Sequence, residues 1–391
     1  MSSPPRPLPL PLPLCLLASL LPLLASAQSP TCALSGKPCH PPTWEASWNL
    51  TQSTVIQPSS ASWFVPEHPW GLISLDWSVN RATWFANRSI FNTTCEATSI
   101  ENCRRLKAAG LAHRCFIYHN MELALLWLES QRAVMLDPTK ASFFLQYGWN
   151  STTHSGNGTI YNEARAEGWQ FFWNYLNEEA ANYFVSSVDA VLNDDAVDGT
   201  FTDDVDGLPA EHPSAQARIG MTDAELAALR FATQTTSQLL IDTLVAHNKY
   251  NWQAFGSRDT SALPPSLPGP ASRRGAALGA GPSPSTCAAW MRTNCAAAMQ
   301  AAPMLMKMDS SPGNANQTVA AFLIVRPPYG YLGWSWESGD EKWDDIFYLQ
   351  AGEPQGLCTE APAGVFSRAW SEGTAQLDCN KWAAELPFPS L

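Results

Sequence analysis

The sequence has few basic residues, and this scarcity excludes one large class of partner. Its 391 residues contain 23 Lys and Arg against 35 Asp and Glu, for a formal net charge of −12. Nucleic-acid binding requires Lys and Arg concentrated on one face, so we expect no nucleic-acid partner. Charged residues make up 15% of the chain and hydrophobic residues 45%, which is enough apolar material for the core of one large domain or two medium ones.

Motifs of several enzyme classes are also missing. No G-x-G-x-x-G loop follows the first apolar strand, where residues 76–80 are DWSVN, so a dinucleotide site is not predicted. The nucleophile elbow G-x-S-x-G is absent, as are C-x-x-C and H-x-x-x-H pairs for zinc. An EF-hand aligned on Gly207 fails because Thr202 and Pro213 occupy its first and last ligand positions. The preferred interpretation therefore includes neither a metal nor a cofactor.

No apolar run after residue 24 is long enough to span a membrane. Residues 1–27 are typical of a secretory signal peptide, with Arg6, an apolar stretch over Leu8–Leu24 and an A-x-A cleavage site that ends at Ala27. We expect a secreted, monomeric protein without stable membrane insertion. Glycosylation sequons fit this expectation and begin at Asn49, Asn87, Asn92, Asn150, Asn157 and Asn316.

Ten cysteines are present, and one of them, Cys15, lies in the signal peptide. An oxidising compartment favours disulfides. Proximity in sequence predicts the pairs Cys32–Cys39, Cys95–Cys103, Cys287–Cys295 and Cys358–Cys379. Cys115 is left over and is predicted to be a buried free thiol.

Strand and helix patterns alternate along the chain, which predicts an α/β fold, a (β/α)8 TIM barrel over residues 71–337. The predicted strands are Gly71–Asp76, Arg114–His119, Trp169–Trp173, Val197–Asp203, Asn251–Phe255, Met304–Met308, Val319–Val325 and Tyr331–Trp336. The predicted helices are Glu96–Gly110, Met121–Val134, Asn177–Leu192, Thr222–His247 and Cys287–Ala302. An open doubly wound sheet is the alternative.

Three further segments complete the predicted organisation. Residues 28–70 are rich in Pro, Ser and Trp and predict an irregular N-terminal segment. Residues 257–285 lack periodicity and predict a disordered insert within the barrel. Residues 338–391 contain short strand patterns separated by Gly and Pro, which predict a small C-terminal β element.

The strand Val197–Asp203 runs directly into acids at positions 203, 204 and 206. In a TIM barrel the carboxyl ends of the strands carry the chemistry. Glycosidic cleavage requires one carboxyl group that protonates the leaving oxygen and a second that attacks or activates water. Asp203 is the first candidate for nucleophile or base. Asp204 is the close second, and Glu337 is a candidate general acid.

Polar and aromatic residues at other predicted strand ends are candidates for substrate binding. An acid that follows the apolar run Leu-Ile-Ser-Leu suggests a functional role for Asp76, and Trp side chains can stack on sugar rings. Any one of them could also have a structural role, as a helix cap or a core side chain. The candidates are Asp76, Trp77, His119, Asn120, Asn174, Trp334 and Trp336.

Three stretches resemble a group of uncharacterised secreted eukaryotic proteins related to hypothetical glycoside-hydrolase-like TIM barrels. They are CRRLKAAGLAHRCFIYHNMELALLWLESQRAVMLDP, DGTFTDD and GEPQGLC…GVFSRAWSEGTAQLDCNKW. The resemblance covers residues 70–382 without the insert, and implies a barrel with Asp203 and Asp204 at the family's paired acids. Asn174 departs from the pattern, which often has Asp there.

The sequence thus predicts a secreted glycoside hydrolase that acts on an extracellular polysaccharide or glycan. A carbohydrate-binding barrel without catalysis is the first alternative, in which the Trp residues and acids only bind glycan. A divalent-metal phosphodiester hydrolase built on the acid cluster is the second.

Overall fold

The computed structural model describes most of the chain after the predicted signal peptide. The described residues are 44–58, 63–86, 95–162, 170–205, 213–253, 272–274, 282–297, 300, 304–308, 314–334 and 343–390. The predicted signal peptide, Cys32–Cys39 and most of the predicted insert lie outside these residues.

The strands and helices alternate over much of the described chain. The strands are β1 Val55–Ile56, β2 Trp70–Ser74, β3 Ala112–Asn120, β4 Leu123–Leu125, β5 Gln170–Phe172, β6 Gly199–Asp203, β7 Tyr250–Gln253, β8 Ser272–Arg274, β9 Met304–Met308, β10 Gly330–Trp334, β11 Thr359–Glu360, β12 Val365–Trp370, β13 Gly373–Asp378 and β14 Ala383–Glu385. The helices are α1 Arg81–Ala86, α2 Cys95–Ala108, α3 Glu129–Met135, α4 Glu178–Val191, α5 Pro213–Ile219, α6 Asp223–Ala246, α7 Pro284–Cys295 and α8 Ala315–Val325.

Two parallel sheets contain eight of these strands. One has the order β1-β2-β3-β6-β7 and the other β10-β9-β8. A parallel bridge between Thr54 and Leu332 connects them at β1 and β10. The eight strands therefore follow one another in chain order, as in a barrel, and the predicted α/β class is confirmed. Within the described residues β7 and β8 do not pair, so barrel closure stays a prediction.

The two faces of the larger sheet bury different side chains. On β3, Phe116 packs with aromatic residues of β6 and β7, and its ring centroid lies 6.1 Å from that of Trp252 on β7. Cys115 and Ile117 face the opposite way and pack with residues of helices α2 and α4. Strand alternation produces this separation. Gly199 opens β6, where a Cβ would lie 2.1 Å from the carbonyl oxygen of Tyr250, so only glycine permits this approach of β7.

Some helix boundaries follow directly from capping residues. The side chain of Asn177 accepts a hydrogen bond from the Glu179 amide at the start of α4. Thr222 and Glu225 form a reciprocal capping box at the start of α6. Both helices begin where the sequence predicts.

Other elements differ from the sequence prediction. The predicted barrel strand Trp169–Trp173 contains β5, which pairs antiparallel with β4 outside the parallel sheets. The predicted helix Met121–Val134 contains β4 in its first half and all but the last residue of α3 in its second. Val319–Val325 is the end of helix α8, because a short apolar run fits a buried helix as well as a buried strand. Val55–Ile56, in the segment predicted to be irregular, forms β1.

The predictions are wrong for seven of the cysteines: three of the predicted pairs do not form, and Cys115, predicted to be a free thiol, is in a disulfide. The bonds are Cys103–Cys115, Cys287–Cys379 and Cys295–Cys358, and Cys95 is a buried free thiol. Two of these bonds join residues 92 and 63 positions apart, because the fold brings α7 against the C-terminal sheet. Proximity in sequence is therefore a poor guide to these partners.

The C-terminal segment forms an antiparallel sheet, β11-β12-β13-β14, where the sequence predicts a small β element. Phe366 of β12 and Leu377 of β13 pack in one core with Phe322 of α8. None of the helices in the described part of the chain has the length and apolar character needed to cross a bilayer.

Candidate active site

The carboxyl ends of three neighbouring parallel strands bring polar side chains together. Strand β3 lies between β2 and β6, and Asn120 pairs in register with Asp203. Tyr118 and Asn120 share one face of β3, while Asp76 follows the end of β2. Four of the predicted site residues therefore meet at one sheet edge: Asp76, Asn120, Asp203 and Asp204.

Side chains of β3 donate hydrogen bonds to both carboxylates of the acidic pair. The Tyr118 hydroxyl donates to Asp203 Oδ2 at 2.9 Å, and Asn120 Nδ2 donates to Asp204 Oδ2 at 2.8 Å. The backbone amide of Asp204 donates to Asp203 Oδ1 at 3.0 Å. Asp204 has a φ of 49°, in the left-handed region that few non-glycine residues adopt. Such a conformation persists only where surrounding contacts fix it.

The electrostatic environment makes Asp203 a proton carrier near neutrality. Burial, together with the negative charge of Asp204, raises the pKa of Asp203 to about 7, and Asp76 adds to the rise. The hydrogen bond from Tyr118 opposes this rise because it stabilises the ionised carboxylate. The carboxyl group of Asp203 can therefore both release and accept a proton at physiological pH.

Asp76 and Trp77 border this acidic group. The backbone amide of Ser78 donates to Asp76 Oδ2 at 3.2 Å, and the Ser78 hydroxyl donates to the same oxygen. Trp77 is only partly exposed, and the guanidinium of Arg81 lies 4.3 Å from its ring centroid. One face of the Trp77 indole is thus covered by a cation–π contact.

The structure does not bring His119 to this group. His119 lies on the other face of β3, is fully buried, and has its Nδ1 3.0 Å from the Thr200 hydroxyl. That hydroxyl donates to the Ile117 carbonyl, so His119 Nδ1 is the donor to it. His119 Nε2 lies 3.5 Å from a carboxylate oxygen of Glu96 on helix α2. This histidine joins the sheet to its helical layer.

Asn174 is also separate from the acidic group. It is fully buried, and its Nδ2 donates to the carbonyl oxygens of Ser142 at 3.0 Å and His154 at 2.8 Å. These bonds connect two loops near β5, which is outside the parallel sheets. Asn174 Nδ2 therefore connects these two segments, and a contact of Asn174 with substrate stays a prediction.

Of the remaining predicted site residues, Trp334 is within the described part of the chain. Trp334 is the last residue of β10, a strand whose carboxyl end lies at the same edge of the parallel sheets as the acids. Trp336 and Glu337 lie outside the described residues. Their roles stay predictions.

Sequence analysis missed Tyr118, although its position contained a usable signal. Phe116, Tyr118 and Asn120 alternate along β3, so a polar side chain at 120 places the hydroxyl at 118 on the same face. Tyr118 is 8% exposed, and its ring centroid lies 6.0 Å from that of Phe201. Its ring belongs to the core, and its hydroxyl belongs to the site.

A cavity of about 600 Å³ lies away from the acidic group. Its lining includes His113 and Arg114 at the amino end of β3, together with Trp48 and Gln350. It thus opens at the opposite end of the strands. Across the described residues, no group of three or more His, Cys, Asp or Glu side chains is arranged to hold a metal ion.

Comparison with known proteins identifies structures of low similarity. No family profile matches the sequence, and no relative is found among curated proteins. The GH31 dextranase of Flavobacterium johnsoniae, complexed with isomaltotriose, matches with a TM-score of 0.43 and 10% identity, over 76% of this chain and 38% of the dextranase. The chain thus spans well under half of that enzyme's length.

Two further structures match over larger shares of their own length. The cyclic α-maltosyl-(1→6)-maltose hydrolase of Arthrobacter globiformis matches with a TM-score of 0.44 and 12% identity, over 85% of this chain and 91% of the hydrolase. The α-N-acetylgalactosaminidase of Bifidobacterium bifidum matches with a TM-score of 0.41 and 12% identity, over 86% of this chain and 58% of that enzyme. TM-scores and identities this low assign the chain to no family.

Proposed function

We propose that this protein is a secreted glycoside hydrolase that cleaves O-glycosidic bonds of an extracellular polysaccharide or glycan. The observation that carries the proposal is the pair Asp203 and Asp204 at the carboxyl end of β6, with the pKa of Asp203 raised to about 7. If the strands close into a (β/α)8 barrel, as their order suggests, this pair would lie at the end of the barrel where active sites of this fold are found.

The chemistry needs two carboxyl groups in different protonation states. Crowding and burial disfavour two adjacent negative charges, so the pair retains a proton to higher pH than isolated aspartates do. In the proposed mechanism ionised Asp203 attacks the anomeric carbon or removes a proton from water. Asp204, Asp76 or Glu337 protonates the leaving oxygen.

Secretion rests on separate support. The three disulfides in the described residues fit an oxidising compartment. The sequence of residues 1–27 is typical of a signal peptide. A glycan outside the cell is the substrate class that fits both.

The first experiment measures release of reducing ends from a panel of polysaccharides by the mature protein and its Asp203→Asn variant. We expect activity on at least one polymer and a loss of 10²-fold or more in kcat for the variant, because the amide neither attacks nor accepts a proton. Asp195→Asn is the matched control, since Asp195 is an exposed acid in the loop before β6. It should retain full activity.

The alternatives predict different outcomes. Glycan binding without turnover would contradict the proposal and favour a carbohydrate-binding barrel. Turnover of phosphodiesters that a chelator abolishes would favour the metal-dependent hydrolase. Activity equal in the wild type and Asp203→Asn would remove Asp203 from the reaction.

A further inference from the structure

The hydrogen bonds of Asn120 are consistent with only one orientation of its side-chain amide. Asn120 Oδ1 accepts from the backbone amides of Glu122 at 2.9 Å and Leu123 at 2.7 Å. These two bonds identify the oxygen of the side-chain amide and fix its orientation. Asn120 Nδ2 must therefore face the Tyr118 hydroxyl at 2.9 Å and Asp204 Oδ2 at 2.8 Å.

The orientation of Asn120 determines what Tyr118 does. The Tyr118 oxygen accepts a hydrogen bond from Asn120, so its own proton is directed to Asp203 Oδ2, 2.9 Å away. Burial, with the charges of Asp203 and Asp204, holds the pKa of Tyr118 well above its ordinary value of 10. Tyr118 is therefore a permanent donor to Asp203 over the whole range in which that carboxyl group titrates.

The same amide acts on Asp204. The left-handed backbone at Asp204 turns the chain out of β6, and two contacts fix the residue there. Its amide donates to Asp203 Oδ1, and its carboxylate accepts from Asn120 Nδ2. Each acid of the pair thus receives a hydrogen bond from a side chain of β3.

We propose that Tyr118 and Asn120 are positioning residues, which fix the orientations of the Asp203 and Asp204 carboxyl groups through a hydrogen-bond chain that starts at the backbone of Glu122 and Leu123. This role rests on the proposed function, because it matters to catalysis only if the acid pair is catalytic. Neither residue needs to touch the substrate.

Tyr118→Phe tests the first step of the chain because it removes the donor and keeps the ring. We expect the pKa of Asp203, followed by ¹³C NMR of its carboxyl carbon, to rise by about one unit. The resonance is assigned by its loss in Asp203→Asn. The acidic limb of the pH–activity profile should move up by the same amount.

Tyr175→Phe is the matched control. Tyr175 is a buried tyrosine that packs against Phe184, and its hydroxyl has no hydrogen-bond partner in the described part of the protein. This variant should leave the Asp203 titration unchanged. A titration that is equally unchanged in Tyr118→Phe would overturn the role of Tyr118.

Asn120→Ala tests the second step. It removes the donor to Asp204, so the mean pKa of the two carboxyl groups should rise above the wild-type value. An unchanged mean would overturn the role of Asn120. The titrations need no substrate: shifted pKa values without glycosidase activity would contradict the proposed function alone, and activity with unshifted values would contradict only the positioning roles.

Discussion

At the scale of single residues, the acidic pair opposes folding. Burial favours the protonated form of Asp203 and raises its pKa to about 7, whereas an unfolded chain releases that proton near pH 4. Between these values the native state binds more protons than the unfolded state. The stability of the native state therefore falls as the pH rises from about 4 to about 7.

Asp203→Asn removes this effect and should stabilise the protein at alkaline pH. At pH 8 we expect the variant's free energy of unfolding to exceed that of the wild type by on the order of 2 kcal/mol, with a smaller difference at pH 5. Urea unfolding at the two pH values measures both. Glu129, whose pKa burial also raises to about 7, contributes equally to both proteins.

The control for this measurement is again Asp195→Asn, which should show no such difference between pH 5 and pH 8. A wild type as stable as Asp203→Asn at both pH values would mean that the carboxyl group is not destabilised in the native state. That result would also weaken the case for Asp203 as the residue that titrates in catalysis.

The sequence predicts some site residues and not others for a definite reason. Asp76, Asp203 and Asp204 lie at or just after the carboxyl ends of apolar strand patterns. The carboxyl ends of parallel strands meet at one edge of a sheet, so these acids could be predicted to lie together. His119 and Tyr118 are one position apart, so only strand alternation separates the core histidine from the site hydroxyl. Which of the two faces of the strand carries the site becomes clear only when the neighbouring elements are known.

At the scale of elements, helix α8 is the most deeply buried. Every residue from Thr318 to Val325 is buried, because the helix packs against α7 and the C-terminal sheet in one core that also contains Met306 of β9 and Leu332 of β10. A helix that is apolar all round has no amphipathic pattern. This is why the sequence predicts a strand over Val319–Val325.

Phe322→Ala should therefore be strongly destabilising. The side chain is fully buried, and its loss leaves a cavity that costs about 3–5 kcal/mol in the free energy of unfolding. Phe231→Ala is the matched control, since Phe231 on α6 is 66% exposed and should change stability by less than about 0.5 kcal/mol. Chemical denaturation of both variants checks the difference. Equal effects would contradict the buried position of α8 in this core.

Strand β5 illustrates a second limit of pattern analysis. Residues 170–172 have the composition of a strand and form one, but they pair with β4 rather than with the strands of the parallel sheets. Composition determines that a segment is extended, whereas its partner depends on the rest of the fold. Counting strand patterns along the sequence therefore does not reveal that β4, α3 and β5 are inserted between β3 and α4.

At the scale of the molecule, buried contacts join the two ends of the described chain. The guanidinium of Arg326, at the end of α8, donates to the carbonyl oxygens of Ser47 at 2.6 Å and Trp48 at 2.9 Å. The guanidinium of Arg368 on β12 donates to the Arg326 carbonyl at 2.5 Å. The segment before β1, helix α8 and the C-terminal sheet therefore form one structural unit.

Two disulfides strengthen the same unit. Cys287–Cys379 and Cys295–Cys358 both connect α7 with the C-terminal sheet region, and the second loop lies within the first. A crosslink stabilises mainly by restricting the unfolded chain, and more so for longer loops. Cys103–Cys115 closes a loop of only 12 residues, between α2 and β3.

Replacing all four cysteines of the nested pair with alanine should therefore cost roughly 8 kcal/mol, against roughly 3 kcal/mol for Cys103→Ala with Cys115→Ala. Because domains are typically stable by only about 5–15 kcal/mol, the first variant should lose most of its resistance to urea and the second should keep a cooperative transition. Denaturation curves at neutral pH measure both. Similar midpoints for the two variants would mean that packing around α8 alone holds the C-terminal sheet. In that case the two long-range disulfides would contribute no more stability than the single short-range one.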